Sequence, residues 1–331
     1  MKIDVFNHVF PVEFFEKVDG LMPDAAVKRW KTITTIYDMD ARLRMLDEFD
    51  DYQQIISMSQ PPTDAIAGPD DSPALTRVAN DGMARICREH PDRMPWFIAS
   101  LPMNNTEAAL AEVDRVIDEH GAVGFQIFTN VNNKALDQPE FRDIFAKIAE
   151  RGKTVWLHPT RPATHPDYLT EDRSFYEIFW GFGWAYETSV AMARIVCSGM
   201  FDEIENLKII AHHWGAYAPH AEGRFTPAWE NRNAAMGEEP KFAGKLKKPL
   251  VDYFKTDFYG DTAMFGAQAA SQAGFDFFGA DHSFFATDAP YDHEGGAYNI
   301  RETIKVLTNL RCTDADRQMM YEDNTRKMLG L

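Results

Sequence analysis

Four places in this 331-residue chain put metal-binding or proton-moving side chains where a short apolar run ends. His8 ends "KIDVFNHV", His158 ends "TVWLH", His212 and His213 close "KIIAHH", and Asp288 ends "HSFFATD". Neutral imidazole and carboxylate together suit a divalent zinc- or manganese-like ion. Held beside such an ion, the same groups serve as general acids and bases. A single histidine at the end of an apolar run is most often a hydrogen-bonded structural residue. A shared centre requires that all of these groups converge.

Convergence requires a fold that gathers strand ends on one face. Eight strand-like runs punctuate the chain, at 3–9, 53–59, 95–101, 122–129, 154–160, 208–214, 258–263 and 282–288. Helical patterns fill the intervals. "DMDARLRMLDEFD" spaces Leu43, Leu46 and Phe49 on one face, and "SPALTRVANDGMARICREH" opens on a Ser72 cap and Pro73. "NTEAALAEVDRVIDEHG" has an Asn or Thr cap and a terminal Gly121, and "DQPEFRDIFAKIAERG" repeats the design. Further helices are predicted near 184–203, 264–274, 297–308 and 313–329. Strands alternating with helices predict a parallel sheet, and eight strands close an α/β barrel of the (β/α)8 type over residues 1–331. An open doubly wound sheet is the rival, but no GxGxxG or Walker pattern follows the first strand. Two stretches, 10–37 and the aromatic-rich 160–183, read as irregular insertions.

In a barrel, His8, His158, His212/His213 and Asp288 end strands 1, 5, 6 and 8, on the C-terminal face where barrel active sites lie. Neighbouring side chains on a strand point to opposite faces. Only one of His212 and His213 therefore faces inward, unless the strand has already ended. Asn7/His8 and Thr287/Asp288 pose the same choice.

A net charge of −17 argues against nucleic acid and against anionic membrane surfaces. No apolar run approaches a membrane span, and the first residues predict no signal peptide. Three widely spaced cysteines predict a reducing, cytoplasmic setting.

"HP" at 158, "HHWGAYAPHAEGR" (212–224) and "ATDAPYDHEGG" (286–296) resemble the amidohydrolase-2 branch of the amidohydrolase superfamily. "GFQIFTNVNNKALDQPEF" (124–141) and "WAYETSVAMARIVCSGMFD" (184–202) extend the likeness over nearly the whole chain. The branch includes aminocarboxymuconate-semialdehyde and γ-resorcylate decarboxylases. The resemblance implies a distorted (β/α)8 barrel, one catalytic metal (zinc or manganese) and a homodimer. It implies His8, His158 and Asp288 as metal ligands. Proton transfer would fall to His212 or Asp288, with His213 as the alternative register. Phe6 falls where the branch carries the first ligand of its strand-1 pair, and a phenyl ring ligates nothing. Arg224 resembles an arginine that reaches a neighbouring subunit's site and binds a substrate carboxylate. Arg161 is a second carboxylate candidate, and Phe6 and Trp184 would wall a flat substrate. The reaction implied is non-oxidative decarboxylation of a small aromatic or unsaturated acid. Metal-dependent hydrolysis or hydration is one alternative, and a non-catalytic binder of aromatic acids is another.

Overall fold

The computed structural model describes residues 1–22, 24–225, 229, 237 and 246–330. Eight parallel strands form one sheet in the order of the sequence. They are β1 (Lys2–Val9), β2 (Tyr52–Met58), β3 (Trp96–Ala99), β4 (Gly124–Phe128), β5 (Thr154–His158), β6 (Ile209–Ala211), β7 (Phe258–Asp261) and β8 (Ser283–Phe284). The ring closes between β8 and β1 without a regular ladder. Val5 N donates to Phe285 O (2.9 Å), Asp288 N to Phe6 O (3.0 Å) and His8 N to Ala289 O (2.7 Å). This is a (β/α)8 barrel, and all eight predicted runs fall on its strands.

Helices cross over outside. Before β2 come α1 (Val12–Asp19), α2 (Asp24–Lys31) and α3 (Met39–Leu46). The later crossovers carry α4 (Ser72–Glu89), α5 (Thr106–His120), α6 (Pro139–Glu150), α7 (Trp184–Cys197), α8 (Leu250–Thr256) and α9 (Gln268–Phe278). Helix α10 (Ala297–Thr308) follows β8. Local chemistry sets their ends. The Asn105 side chain accepts from Ala108 N, and Gly121 at φ 69° ends α5 in the left-handed region. Helix α6 buries Phe141, Ile144, Phe145 and Ile148, spaced along one face, each worth about 1.5–3 kcal/mol of apolar burial.

The stretch 10–37, expected to be irregular, holds α1, α2 and a 3-10 turn at Thr34–Ile36. Pro11 precedes α1, and Phe14, Phe15 and Val18 bury one side of it. Ser72 lies inside α4 rather than capping it; Asp71 is the cap residue and makes no side-chain cap bond.

The barrel interior is plugged by Ile3, Val5, Phe6, Ile55, Ile98, Trp156, Ile210, Ala263, Phe284 and Ala286. Gly124 has no side chain because a Cβ there would overlap the Trp156 ring. Adjacent residues Val5 and Phe6 both face inward. A bulge makes this possible, since the register slips between Asp4↔Gln54 and Asn7↔Ile56.

Beyond the end of β2, the Asp64 carboxyl is buried, and desolvation raises its pKa to about 7, against backbone hydrogen bonds that lower it. A folded pKa above the unfolded 3.8 favours the native state below pH ~4, and that stabilisation is lost as pH rises through about 7. Asp64→Asn is therefore expected to gain on the wild type by up to ~1.4 kcal/mol per pH unit across that window. Urea unfolding of both proteins at several pH values measures it; parallel stability curves would refute the burial argument.

Candidate metal centre

Three imidazoles and a carboxylate meet above the plugged interior. His8 and His158 end their strands, and each ring is fixed from behind. Ser57, opposite His8 in the β1–β2 register, donates its hydroxyl to Asn7 O (2.7 Å). Its oxygen therefore accepts from His8 Nδ1 (3.0 Å), which leaves the Nε2 lone pair of a neutral His8 free. His158 Nδ1 donates to Pro159 O (2.6 Å). Strand β6 stops at Ala211, whose register partner is Gly260, so His212 and Asp261 come side by side. His212 Nδ1 bonds to Asp261 Oδ2, and Asp261 Oδ1 accepts from His213 N (3.0 Å).

The strand ends before the two histidines, so alternation does not govern them. His213 and Trp214 take positive φ (55° and 52°), and His213 Nδ1 bonds to Ala263 O. His212 faces the centre, while His213 lies behind it against Phe265. Asp288 also sits at positive φ (59°) and turns its carboxylate to the same place.

Asp288 Oδ1 lies 3.0 Å from His8 Nε2 and 3.6 Å from His212 Nε2. Neither nitrogen has a hydrogen-bond partner among the described residues, although both are buried. A lone pair facing a carboxylate oxygen at that range is repulsive unless a proton or a cation stands between them. Two ligands bound at about 2.1 Å and at right angles are themselves about 3 Å apart, so the spacing fits a divalent ion. His8, His212 and Asp288 bring one ligand atom each within 4.8 Å of one another. The His158 ring is 5.1 Å from His8 and 5.6 Å from His212, centroid to centroid.

Phe6 stands among them. Its ring centroid is 3.8 Å from His212, 4.8 Å from His8 and 5.6 Å from His158. The strand-1 slot thus holds a hydrocarbon in contact with all three imidazoles.

The electrostatics divide the histidines. Burial lowers the His158 pKa well below 6.5, and the neighbouring imidazoles add to it. Burial also opposes charge on His212, but Asp261 and Asp288 outweigh it and hold the pKa up at about 9. Burial and then His212 push His213 down to about 4. Burial would raise the Asp288 carboxyl, yet His212 and His8 hold it well below 3.8.

A cavity of about 280 Å³ opens onto this group, lined by His158, Asp288, Trp180, Trp184, Phe265 and Tyr291 among others. Trp184 lies where the sequence placed it. Arg161 does not line this cavity; it pairs with Glu187 (2.9 Å) and donates to Pro166 O (3.2 Å). Arg224 is on an exposed 3-10 turn, Glu222–Arg224, away from the cavity lining. The one arginine lining the cavity among the described residues is Arg29, from α2, and sequence reasoning missed it. It missed Asp261 as well, although an acid at the end of strand 7 beside a histidine at the end of strand 6 was a usable signal.

Comparison with known proteins agrees with this geometry. The amidohydrolase family model matches residues 3–331. A γ-resorcylate decarboxylase from Polaromonas sp. is 30% identical, covering 100% of this chain and 98% of the relative. The crystal structure of 2,6-dihydroxybenzoate decarboxylase from Rhizobium superposes with a TM-score of 0.81 at 26% identity, over 99% of this chain and 98% of that one. A dihydroxybenzoic acid decarboxylase from Polaromonas sp. JS666, solved with manganese and 2-nitroresorcinol, gives 0.79 at 26% identity over 100% and 97%. With its barrel, its cluster of histidines and a carboxylate at the strand ends and a family match across almost its full length, the chain belongs to the amidohydrolase family.

Proposed function

We propose that the chain is a non-oxidative decarboxylase of a small aromatic or unsaturated carboxylic acid, with one divalent ion, zinc or manganese, held by His8, His158 and Asp288. The approach of the Asp288 carboxylate to the unpartnered Nε2 of His8 carries this reading. Distance groups His212 with His8 and Asp288; charge separates them. A neutral His158 suits a ligand, and a His212 held protonated suits a proton donor.

A bound ion would orient a phenolate or carboxylate oxygen of the substrate and offset its charge. The chain's own residues do the rest. Trp180, Trp184 and Phe265 give flat walls that exclude water. His212 delivers its Nε2 proton to the ring carbon that bears the carboxylate. The bond to the carboxylate carbon then breaks, its electron pair restores conjugation, and carbon dioxide leaves. Asp261, bonded to Nδ1, fixes the His212 ring and balances its charge. Arg29 supplies a positive charge to the same cavity. A homodimer in which Arg224 of one protomer enters the neighbouring site belongs to the same reading, as does a cytoplasmic setting for the three free cysteines.

Manganese-loaded protein incubated with dihydroxybenzoates is expected to release one carbon dioxide per molecule of acid consumed. A product heavier by one water would mark a hydratase or hydrolase instead. The pH profile tests the donor: kcat/KM is expected to fall as pH rises through the His212 pKa, which a bound ion lowers from the metal-free value of about 9 by neutralising Asp288. A profile that stays flat through that pH removes His212 from the role.

A further inference from the structure

His8 lies near the end of β1 and Asp288 follows β8, two strands that share no regular ladder, so something else must fix their separation. A buried polar chain lies on the opposite side of β1 from Phe6 and His8. Asp4 Oδ1 accepts from Phe6 N (3.2 Å) and Thr287 N (3.1 Å), and Oδ2 from Tyr52 OH (2.5 Å) and Thr287 Oγ1 (2.6 Å). One carboxylate thus ties the β1 bulge to the residue before Asp288. The Tyr52 hydroxyl accepts from Gln54 Nε2 (3.2 Å), and Gln54 Oε1 from Arg42 Nε (2.9 Å). Arg42 then donates to His8 O (2.8 Å) and Asn7 Oδ1 (2.7 Å). The chain runs without a gap from Thr287 to the backbone of His8.

Asp4 and Arg42 are both fully buried. Buried charges are a weak source of stability, and apolar residues of equal volume often serve a fold as well. Their bonds here end on the two segments that carry candidate ligands, and a metal site needs its ligands held to about 0.5 Å. We propose that Asp4 is a positioning residue, setting the spacing of His8 and Asp288 through Thr287 and the Phe6 amide. The inference rests on the metal-dependent reading above.

The test is manganese affinity of chelator-stripped protein, measured by electron paramagnetic resonance titration, alongside the melting temperature of the stripped form. Asp4→Asn is expected to weaken manganese binding by about 10–100-fold. Thr287→Val keeps the side-chain shape, removes one bond to Asp4 and is expected to weaken it by roughly tenfold; it decides the matter if Asp4→Asn does not fold. Asn80→Ala on α4, which breaks buried bonds to Ser100 after β3 and to Glu112 on α5, is the control and is expected to lower the melting temperature with affinity unchanged. Unchanged affinity in Thr287→Val overturns the role of Asp4. So does an equal loss in Asn80→Ala, because affinity would then follow general loosening. A wild type that binds neither manganese nor zinc overturns the metal reading, and this inference with it.

Discussion

Asp288→Asn is expected to lower kcat/KM by about three orders of magnitude or more, since it removes a proposed ligand and disturbs the proposed acid at once. The amide keeps the shape of the side chain and loses its charge. That charge is one of the two holding His212 protonated against the cost of burial. It also faces the otherwise unpartnered Nε2 atoms of His8 and His212. In the variant, manganese content should fall, and the His212 pKa should drop from about 9 toward neutrality. Metal analysis and a pH–rate profile on the same preparation separate the two effects. A variant that keeps near-full activity would falsify the assignment of Asp288.

Phe6→His is expected to tighten metal binding by about one to two orders of magnitude. The phenyl ring already touches the three imidazoles that surround the centre, and it is buried. An imidazole of smaller volume at that position adds a nitrogen where hydrocarbon now stands. Structural zinc sites gain ~10–16 kcal/mol from four ligands, so one more ligand is worth up to about 3 kcal/mol, less where it displaces a bound water. Tighter binding need not mean faster turnover, because the new ligand takes a position that substrate or water could use. Competition with a fluorescent chelator gives the affinity. No change would mean that residue 6 does not face the ion, against the ring contacts seen here.

Strand positions were legible because a barrel imposes one rule eight times: a short apolar run, then a turn, then an amphipathic helix. The convergence of His8, His158, His212 and Asp288 followed from the same rule, since residues where the strands of such a frame stop share one face. Trp184 was legible as an aromatic close after strand 5. Helices α1 and α2 were not, because eight residues offer barely two turns of periodicity beside a Phe-Pro corner. The choice of His212 over His213 at the centre depends on positive φ at His213 and Trp214, which no residue-type preference announces. Asp261, Asp4 and Arg29 escaped for another reason. Their roles depend on which strand or helix lies next to which, at a resolution of one residue in register. By its place after "HPT" Arg161 is a candidate to hold a substrate carboxylate, whereas its carboxylate partner here is Glu187 from α7, which packs back over it.

The bulge at Val5–Phe6 splits β1 into two reading frames. Ile3 and Val5 obey one alternation, Phe6 and His8 the other, and the two halves answer to different partners: the core below and the cluster of imidazoles and carboxylate above. A length change before Asp4 shifts only residues outside the polar chain that links His8 to Thr287. A single residue inserted after the bulge would turn His8 toward the outer layer, where Arg42 lies, and bring Asn7 to face the cavity. The strand that begins the fold therefore tolerates a change of length only ahead of Asp4.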